Sequence, residues 1–343
     1  MDHRVLGRTG VRVSPLCLGS MMFGDWGNQD HDDSIKIIHR ALDAGINFID
    51  TADAYSSGES EQIVGKALAG RRDNVVLATK LFIPMGPDVN QRGLSRRWIV
   101  TEVENSLRRL GTDWIDLYQV HRPDPSTDID ETLGALTDLV RAGKIRYFGS
   151  STFPAHEVVE AQWVAERRNR ERFVTEQPPY SLLVRGIEAD LLPVAQKYSL
   201  GVLPWSPLAG GYLSGRYTRD GGDGTSTRTA RASRVPDRFD LSRSENQRKV
   251  EAAIAFGDLA AEVGITLIEL ALAFVLRHPA VSSAIIGPRT MEHLESQLTG
   301  ADVVLDTATL DRIDEIVPPG VTLNPADAGY VPPALDKPAL RRR

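Results

Sequence analysis

Short apolar runs that stop at polar or turn residues recur along this chain at a nearly constant interval. This repeat restricts the fold more than any other feature. The runs are Pro15–Gly19, Ile46–Asp50, Val75–Lys80, Ile115–His121, Ile145–Ser150, Phe173–Gln177, Gly201–Trp205 and Val281–Gly287. Six of the seven start-to-start intervals are 28 to 40 residues. Most gaps carry a helical period. "DDSIKIIHRALDAG" sets Ile35, Ile38 and Leu42 on one face, and "RRWIVTEVENSLRRLG" sets Ile99, Val103, Leu107 and Leu110 before a C-terminal Gly111. Strand–helix units of this size require a parallel sheet with crossover helices. Eight of them predict a closed (β/α)8 barrel, an α/β fold that uses residues 1–343 as a single domain. A doubly wound sheet is disfavoured because no G-x-G-x-x-G follows any strand.

Two departures from the repeat are informative. "HRVLGRTGVRVS" alternates around Thr9-Gly10 and predicts a hairpin closing the barrel bottom. The last interval is long and holds two helical patterns, Ser244–Glu262 and Thr266–Arg277. The second opens on a T-x-x-E capping box at Thr266 and Glu269. Before them, Asp220 to Arg243 is rich in Gly, Ser, Thr and Arg and reads as a long mobile loop. Thr290–Leu298 and Thr309–Ile316 read as helices, and residues 318–343 as an extended tail ending in a solvated "RRR".

Barrel sites lie at the C-terminal ends of strands. Here the second strand ends at Asp50, the third at Lys80 and the fourth at His121, with Tyr55 in the loop after Asp50. A carboxylate, an ammonium, an imidazole and a phenol thus surround one mouth. A phenol has an ordinary pKa of about 10, and a neighbouring ammonium favours its phenolate. Asp50 would keep Lys80 charged, and His121 could donate a hydrogen bond to a carbonyl oxygen. The set is suited to protonating an oxygen that gains negative charge, as in carbonyl reduction. The bland alternative is a polar plug of the barrel mouth.

"GINFIDTADAYSSGESE" and "SLRRLGTDWIDLYQVHRPD" resemble the two signature segments of the aldo-keto reductases. The likeness runs from Arg4 to about Gln297. It implies a (β/α)8 barrel, catalytic Asp50, Tyr55, Lys80 and His121 with Tyr55 as general acid, and NADPH bound without a Rossmann motif. It further implies nicotinamide contacts from Gly19, Ser20, Met21, Asp50, Ser151, Thr152 and Gln177, with Trp205 stacked on the ring. Thr152 stands where the family has Asn. A pyrophosphate loop is implied at Ser206, Pro207, Leu208, Ala209 and Gly210, with Arg216 as cation. Gly287, Arg289, His293 and Gln297 match the adenosine site, with Gln297 in place of Asn and His293 in place of Arg or Gln. Arg289 beside a helix start at Thr290 favours the 2′-phosphate of NADPH over NADH.

The expected partner is a small carbonyl substrate, whose pocket the family shapes from Met22–Trp26, Arg122–Thr127 and the long loop to Arg243. Two other functions compete. Lys80 could form Schiff bases as a lyase, although pairing with Asp50 keeps its amine protonated. A cofactor-sensing subunit with little turnover is the non-enzymatic alternative. Net charge is −6 with pI near 5.7, which argues against nucleic acid. Cys17 is the single cysteine, so neither a disulfide within the chain nor a cysteine metal site is expected, and no H-E-x-x-H occurs. With no signal peptide and no run approaching about 18 apolar residues, a cytoplasmic protein is expected.

Overall fold

The computed structural model describes residues 1–217 and 235–342. Most of the loop expected from Asp220 to Arg243 lies outside the described residues. Two antiparallel strands, β1 (Arg4–Val5) and β2 (Arg12–Val13), form the expected hairpin. Eight parallel strands follow: β3 (Leu16–Gly19), β4 (Phe48–Asp50), β5 (Val76–Leu81), β6 (Ile115–Val120), β7 (Ile145–Ser151), β8 (Thr175–Gln177), β9 (Gly201–Val202) and β10 (Ala284–Ile286). Their order is β10-β3-β4-β5-β6-β7-β8-β9. Parallel bridges Val202↔Val281 and Trp205↔Ile285 join the last two strands and close the ring. Several strands are shorter than their apolar runs. The expected strand from Gly201 to Trp205 keeps a regular ladder over two residues, because Pro204 has no N–H to donate. Its carbonyl still accepts from Ile285 N at 2.8 Å.

Helices α1 (His31–Asp43), α2 (Glu59–Ala67), α3 (Arg96–Leu110), α4 (Ile129–Arg141), α5 (Ala155–Arg168) and α6 (Leu191–Tyr198) lie between consecutive strands. In α3 the four expected apolar residues are buried, and Gly111 ends the helix at φ 62°. In α1 the fully buried face is Ile37, Ile38 and Ala41, rotated from the expected Ile35 and Leu42, which are half-buried. After β9 come α7 (Pro236–Phe239), α8 (Ser244–Glu262) and α9 (Leu267–Arg277). Thr266 and Glu269 form the expected capping box, an arrangement that stabilises a helix start by about 1 kcal/mol. Helices α10 (Met291–Leu298) and α11 (Thr307–Ile316) follow β10. The tail is not extended as expected: beyond Pro318 the chain bridges Thr322 to Val184, buries Asn324 and Asp327, and carries a 3-10 turn over Pro325–Ala328 and one helical turn over Pro333–Asp336. Among the described residues no single helix is long and apolar enough to cross a membrane.

The core has two layers. A large one lies between sheet and helices. A smaller one fills the barrel from below, where Leu6 and Val13 of the hairpin meet Cys17, Phe48, Ala78, Leu117, Val174, Leu203 and Ile285. Gly7 makes this plug possible. At φ 55° it lies so close to Val174 O and Gly201 N that a Cβ would approach them to 2.3 and 2.6 Å. Side chains alternate along a strand. Two residues beyond Phe48, Ala78 and Leu117 stand Asp50, Lys80 and Gln119, which therefore also face inward. The barrel interior changes from apolar to polar in one step along each of these strands, and the polar residue is charged on β4 and β5.

Candidate active site

Lys80 is the centre of the charged layer and is fully buried. Its Nζ donates to Asp50 Oδ2 at 2.5 Å, to the Thr51 carbonyl at 2.8 Å and to Tyr55 OH at 3.1 Å. The other carboxylate oxygen, Asp50 Oδ1, accepts from Gln119 Nε2 at 3.0 Å and Gln177 Nε2 at 2.9 Å. His121 follows β6 directly, and its ring meets the Tyr55 ring edge-on at 5.9 Å. Its Nδ1 is buried without a hydrogen-bond partner among the described residues. The four expected residues are thus brought together, and Gln119 joins them. Gln119 is two residues before His121 on an alternating strand, a signal that could have found it in the sequence.

Burial sets the protonation states. It pushes the Tyr55 phenol upward; Lys80 pulls the other way without winning. The expectation that Lys80 would lower this pKa below its ordinary value is therefore corrected, since it omitted desolvation. Burial also disfavours the Lys80 ammonium, but Asp50 and Tyr55 outweigh it and the net shift is upward. His121 is held well below the usual range by burial, Lys80 and Arg122, so its imidazole is neutral. An uncharged donor and a protonated phenol thus flank an ammonium.

The backbone around the mouth is under tension. Six non-glycine residues with positive φ follow strand ends: Ser56, Ser57, Phe82, Thr152, Ser206 and Ala209. Such conformations cost of order 1–3 kcal/mol each and cluster at functional sites. Ser56 accepts from Trp26 N at 3.1 Å and so ties the loop after β3 to the loop of Tyr55. The Trp26 ring then stands 6.0 Å from that of Tyr55.

Apart from Asp50, the residues that the resemblance implies for a cofactor lie at or after the ends of β3, β7, β8, β9 and β10. Gly19 borders Ile285 so closely that a Cβ would meet its Cγ2 at 2.7 Å. The Ser20 hydroxyl is engaged with Asp50 O and Ser60, while Met21 is exposed at the rim. Ser151 Oγ donates to Gln177 O at 2.8 Å. Thr152 Oγ1 accepts from Arg122 Nη1 at 2.8 Å. Gln177, expected to hold a carboxamide, spends its amide on Asp50 and Gln119. Trp205 is half-buried. Beside it the Ser206–Gly210 turn, which includes Pro207 and Leu208, places Ser206, Ala209 and Gly210 at φ 59°, 49° and 66°. Arg216 Nη2 lies 3.2 Å from His293 Nε2, joining two residues that are 77 apart. His293 is held low by burial, Arg216 and Arg289. Thr290 caps α10, with Gly287 and Arg289 just before it, and Gln297 turns its amide back to His293 O at 2.8 Å. A strained turn, followed by two guanidiniums (Arg216 and Arg289) that both act on the His293 imidazole, has the chemistry to hold phosphate groups.

Three further features escaped sequence reading. Glu176 is fully buried next to Ser150, accepts from Phe153 N at 3.1 Å, and is pushed up to about 8 by burial. Arg238 lies with its Cζ 5.7 Å from the Trp205 ring centre and donates to Asp327 at 2.6 Å. Gly329 reaches back over the mouth, where a Cβ would meet Thr152 and Trp205 at 2.6 and 2.8 Å.

The chain is similar to known proteins over most of its length. The family model described as "Aldo/keto reductase family" matches residues 15–318. An uncharacterized oxidoreductase of Bacillus subtilis, YrpG, is 41% identical, over 93% of this chain and 96% of its own. The aldo-keto reductase YhdN of the same organism is 38% identical, over 88% of this chain and 89% of its own. An Oryza sativa protein named "Probable voltage-gated potassium channel subunit beta" is 35% identical, over 92% of this chain and 97% of its own.

Proposed function

Because this chain belongs to the aldo/keto reductase family, we propose that it reduces aldehyde or ketone carbonyls to alcohols with NADPH, Tyr55 being the general acid. One observation carries the reading: a single buried ammonium, Lys80, is bonded at once to Asp50 and to the Tyr55 hydroxyl.

When bound, the nicotinamide supplies a hydride for the carbonyl carbon. The chain's own residues deal with the oxygen. Burial keeps the Tyr55 phenol protonated at neutral pH, so the acid is loaded before reaction. As the oxygen gains negative charge it takes the Tyr55 proton, and the phenolate left behind faces the Lys80 ammonium. Asp50, fixed by Gln119 and Gln177, keeps that ammonium charged and in place. Neutral His121 donates a ring N–H to the same oxygen without competing as an acid. Preorganised donors of this kind, in a site shielded from water, form a large part of enzymatic rate enhancement. Trp205 would cover the nicotinamide, the Ser206–Gly210 turn and Arg216 would hold the pyrophosphate, and Arg289 with His293 would hold the 2′-phosphate.

A second reading follows from the relative named as a potassium channel subunit: a cofactor-binding regulatory subunit with little turnover. A panel of aldehydes and ketones, followed by nicotinamide absorbance with NADPH and NADH in parallel, separates the two. Cofactor oxidised in step with alcohol formed supports the reductase. Tight cofactor binding with no turnover on any carbonyl favours the regulatory subunit.

A further inference from the structure

Arg122 follows His121 directly and is half-buried at the mouth. It uses one nitrogen for internal bonds: Nη1 donates to His121 O at 2.6 Å and to Thr152 Oγ1 at 2.8 Å. Those two bonds fix the plane of the guanidinium. Its Nε and Nη2 make no hydrogen bond among the described residues, and no carboxylate lies within ion-pair distance of the group. Two neighbouring cations are paired: Lys80 with Asp50, and Arg238 with Asp327. The buried carboxyl nearest in sequence to Thr152, Glu176, is committed to Ser150 and Phe153 N. The charge of Arg122 is felt at His121 and Glu176, while Tyr55, Glu176 and Arg238 act on Arg122 in turn. Burial pushes Glu176 up to about 8, so a fixed cation with no ionised carboxylate bonded to it among the described residues stands beside the groups that would bind a carbonyl oxygen. Burying an unpaired charge is costly, and an incoming anion would remove the cost.

We propose that Arg122 is an anion subsite, and that the preferred substrates are aldehydes or ketones carrying a carboxylate or phosphate that its free Nε–Nη2 edge binds in a bidentate manner. Nε and Nη2 present two parallel N–H groups, the pattern that matches a pair of oxyanion oxygens. A neutral carbonyl compound of the same shape leaves this edge unpaired and is disfavoured. The proposal rests on the reductase reading, which supplies the carbonyl. It goes further by assigning the rest of the substrate its charge.

The test compares 4-carboxybenzaldehyde, its methyl ester and 4-formylphenyl phosphate as substrates at fixed salt. The acid or the phosphate should exceed the ester at least tenfold in kcat/KM, mainly through KM, and whichever is preferred identifies the anion. In Arg122→Met the anion-to-ester ratio should fall roughly ten- to a hundredfold, the scale of a charged hydrogen bond. Arg122→Lys should recover part of it. Calorimetry of benzoate, inorganic phosphate and benzamide binding to the NADP⁺-loaded protein reads the subsite without turnover. Benzoate or phosphate should bind and benzamide should not, even if every aldehyde proves inert, so failure of the reductase reading is distinguishable from failure of this one. An ester as good as both anions, with no binding of benzoate or phosphate, would overturn the proposal. So would an unchanged ratio in Arg122→Met accompanied by weaker NADPH binding, because the guanidinium would then serve the cofactor.

Discussion

Replacing Lys80 with Met keeps an unbranched chain one atom shorter and removes the charge. The Asp50 carboxylate, only 2% exposed, then retains two amide donors on Oδ1 and none on Oδ2. Removing one partner of a buried ion pair costs about 3–5 kcal/mol, because the other charge stays buried and uncompensated. Asp50→Asn alone should cost a similar amount by leaving the ammonium unpaired. The double variant Asp50→Asn/Lys80→Met removes both charges, and an asparagine carbonyl can still accept from Gln119 and Gln177. What remains is chiefly the orphaned Thr51 carbonyl, a loss of about 1–3 kcal/mol. The double variant should therefore be more stable than either single variant, although additivity would make it the least stable by several kcal/mol. Urea unfolding midpoints at constant slope measure all four proteins. Turnover should be lost in all three variants, so the cycle separates the structural cost of the pair from its chemical role. A double variant whose loss equals the sum of the singles would refute the reasoning, since the two groups would then not compensate one another in the folded chain.

Tyr55→Phe should keep cofactor affinity and lower kcat by about 10²–10⁴, the usual contribution of acid–base assistance; steady-state rates near wild type would remove Tyr55 from that role. Arg289→Ala should weaken NADPH roughly ten- to a hundredfold and leave NADH nearly unchanged, read by fluorescence quenching; equal weakening of both would mean that Arg289 supports the loop. Glu176 is protonated in the fold up to about pH 8, whereas an unfolded Glu ionises near 4.3. Between those values the folded state binds the extra proton, so stability should fall as pH rises, by roughly 1.4 kcal/mol per pH unit at most. Glu176→Gln should flatten that fall between pH 5 and 8 in denaturant titrations, and a parallel curve would show that Glu176 is ionised in the fold.

Much of this molecule can be read along the chain because its signals are local. The run-and-turn repeat marks all eight strands, and the Thr266–Glu269 box marks the start of α9 to within a residue. Asp50, Lys80 and His121 are legible as strand ends, since in a barrel the ends of consecutive strands are neighbours. What is not legible depends on distance in sequence. Gln177 reaches Asp50 across 127 residues, and Arg238 reaches Asp327 across 89. The direction of the Tyr55 shift depends on how much water the fold excludes, which no local pattern records. The α1 face was misjudged because Ile35, Ile37, Ile38 and Leu42 allow two stripes, and packing chooses between them. The interval after β9 is legible only at its helices.

The seam that closes the ring joins Leu16 to Ala284 in register, and Arg4 locks it by donating to Leu276 O and Val281 O at 3.0 Å each. Ribosomes add about 5–20 residues per second, so these partners are made on the order of 13–54 s apart. The strands from β4 to β9 can pair with their predecessors as they emerge, because spatial order follows chain order. The far edge of β3 has no partner until β10 arrives, and the plug around Leu6 and Val13 waits for Ile285. A nascent chain thus carries one exposed parallel edge for most of its synthesis, a surface that invites pairing with other chains. Deleting residues 1–14 would take the Arg4 lock from this seam, whereas stopping synthesis at Arg277 would take away its second strand.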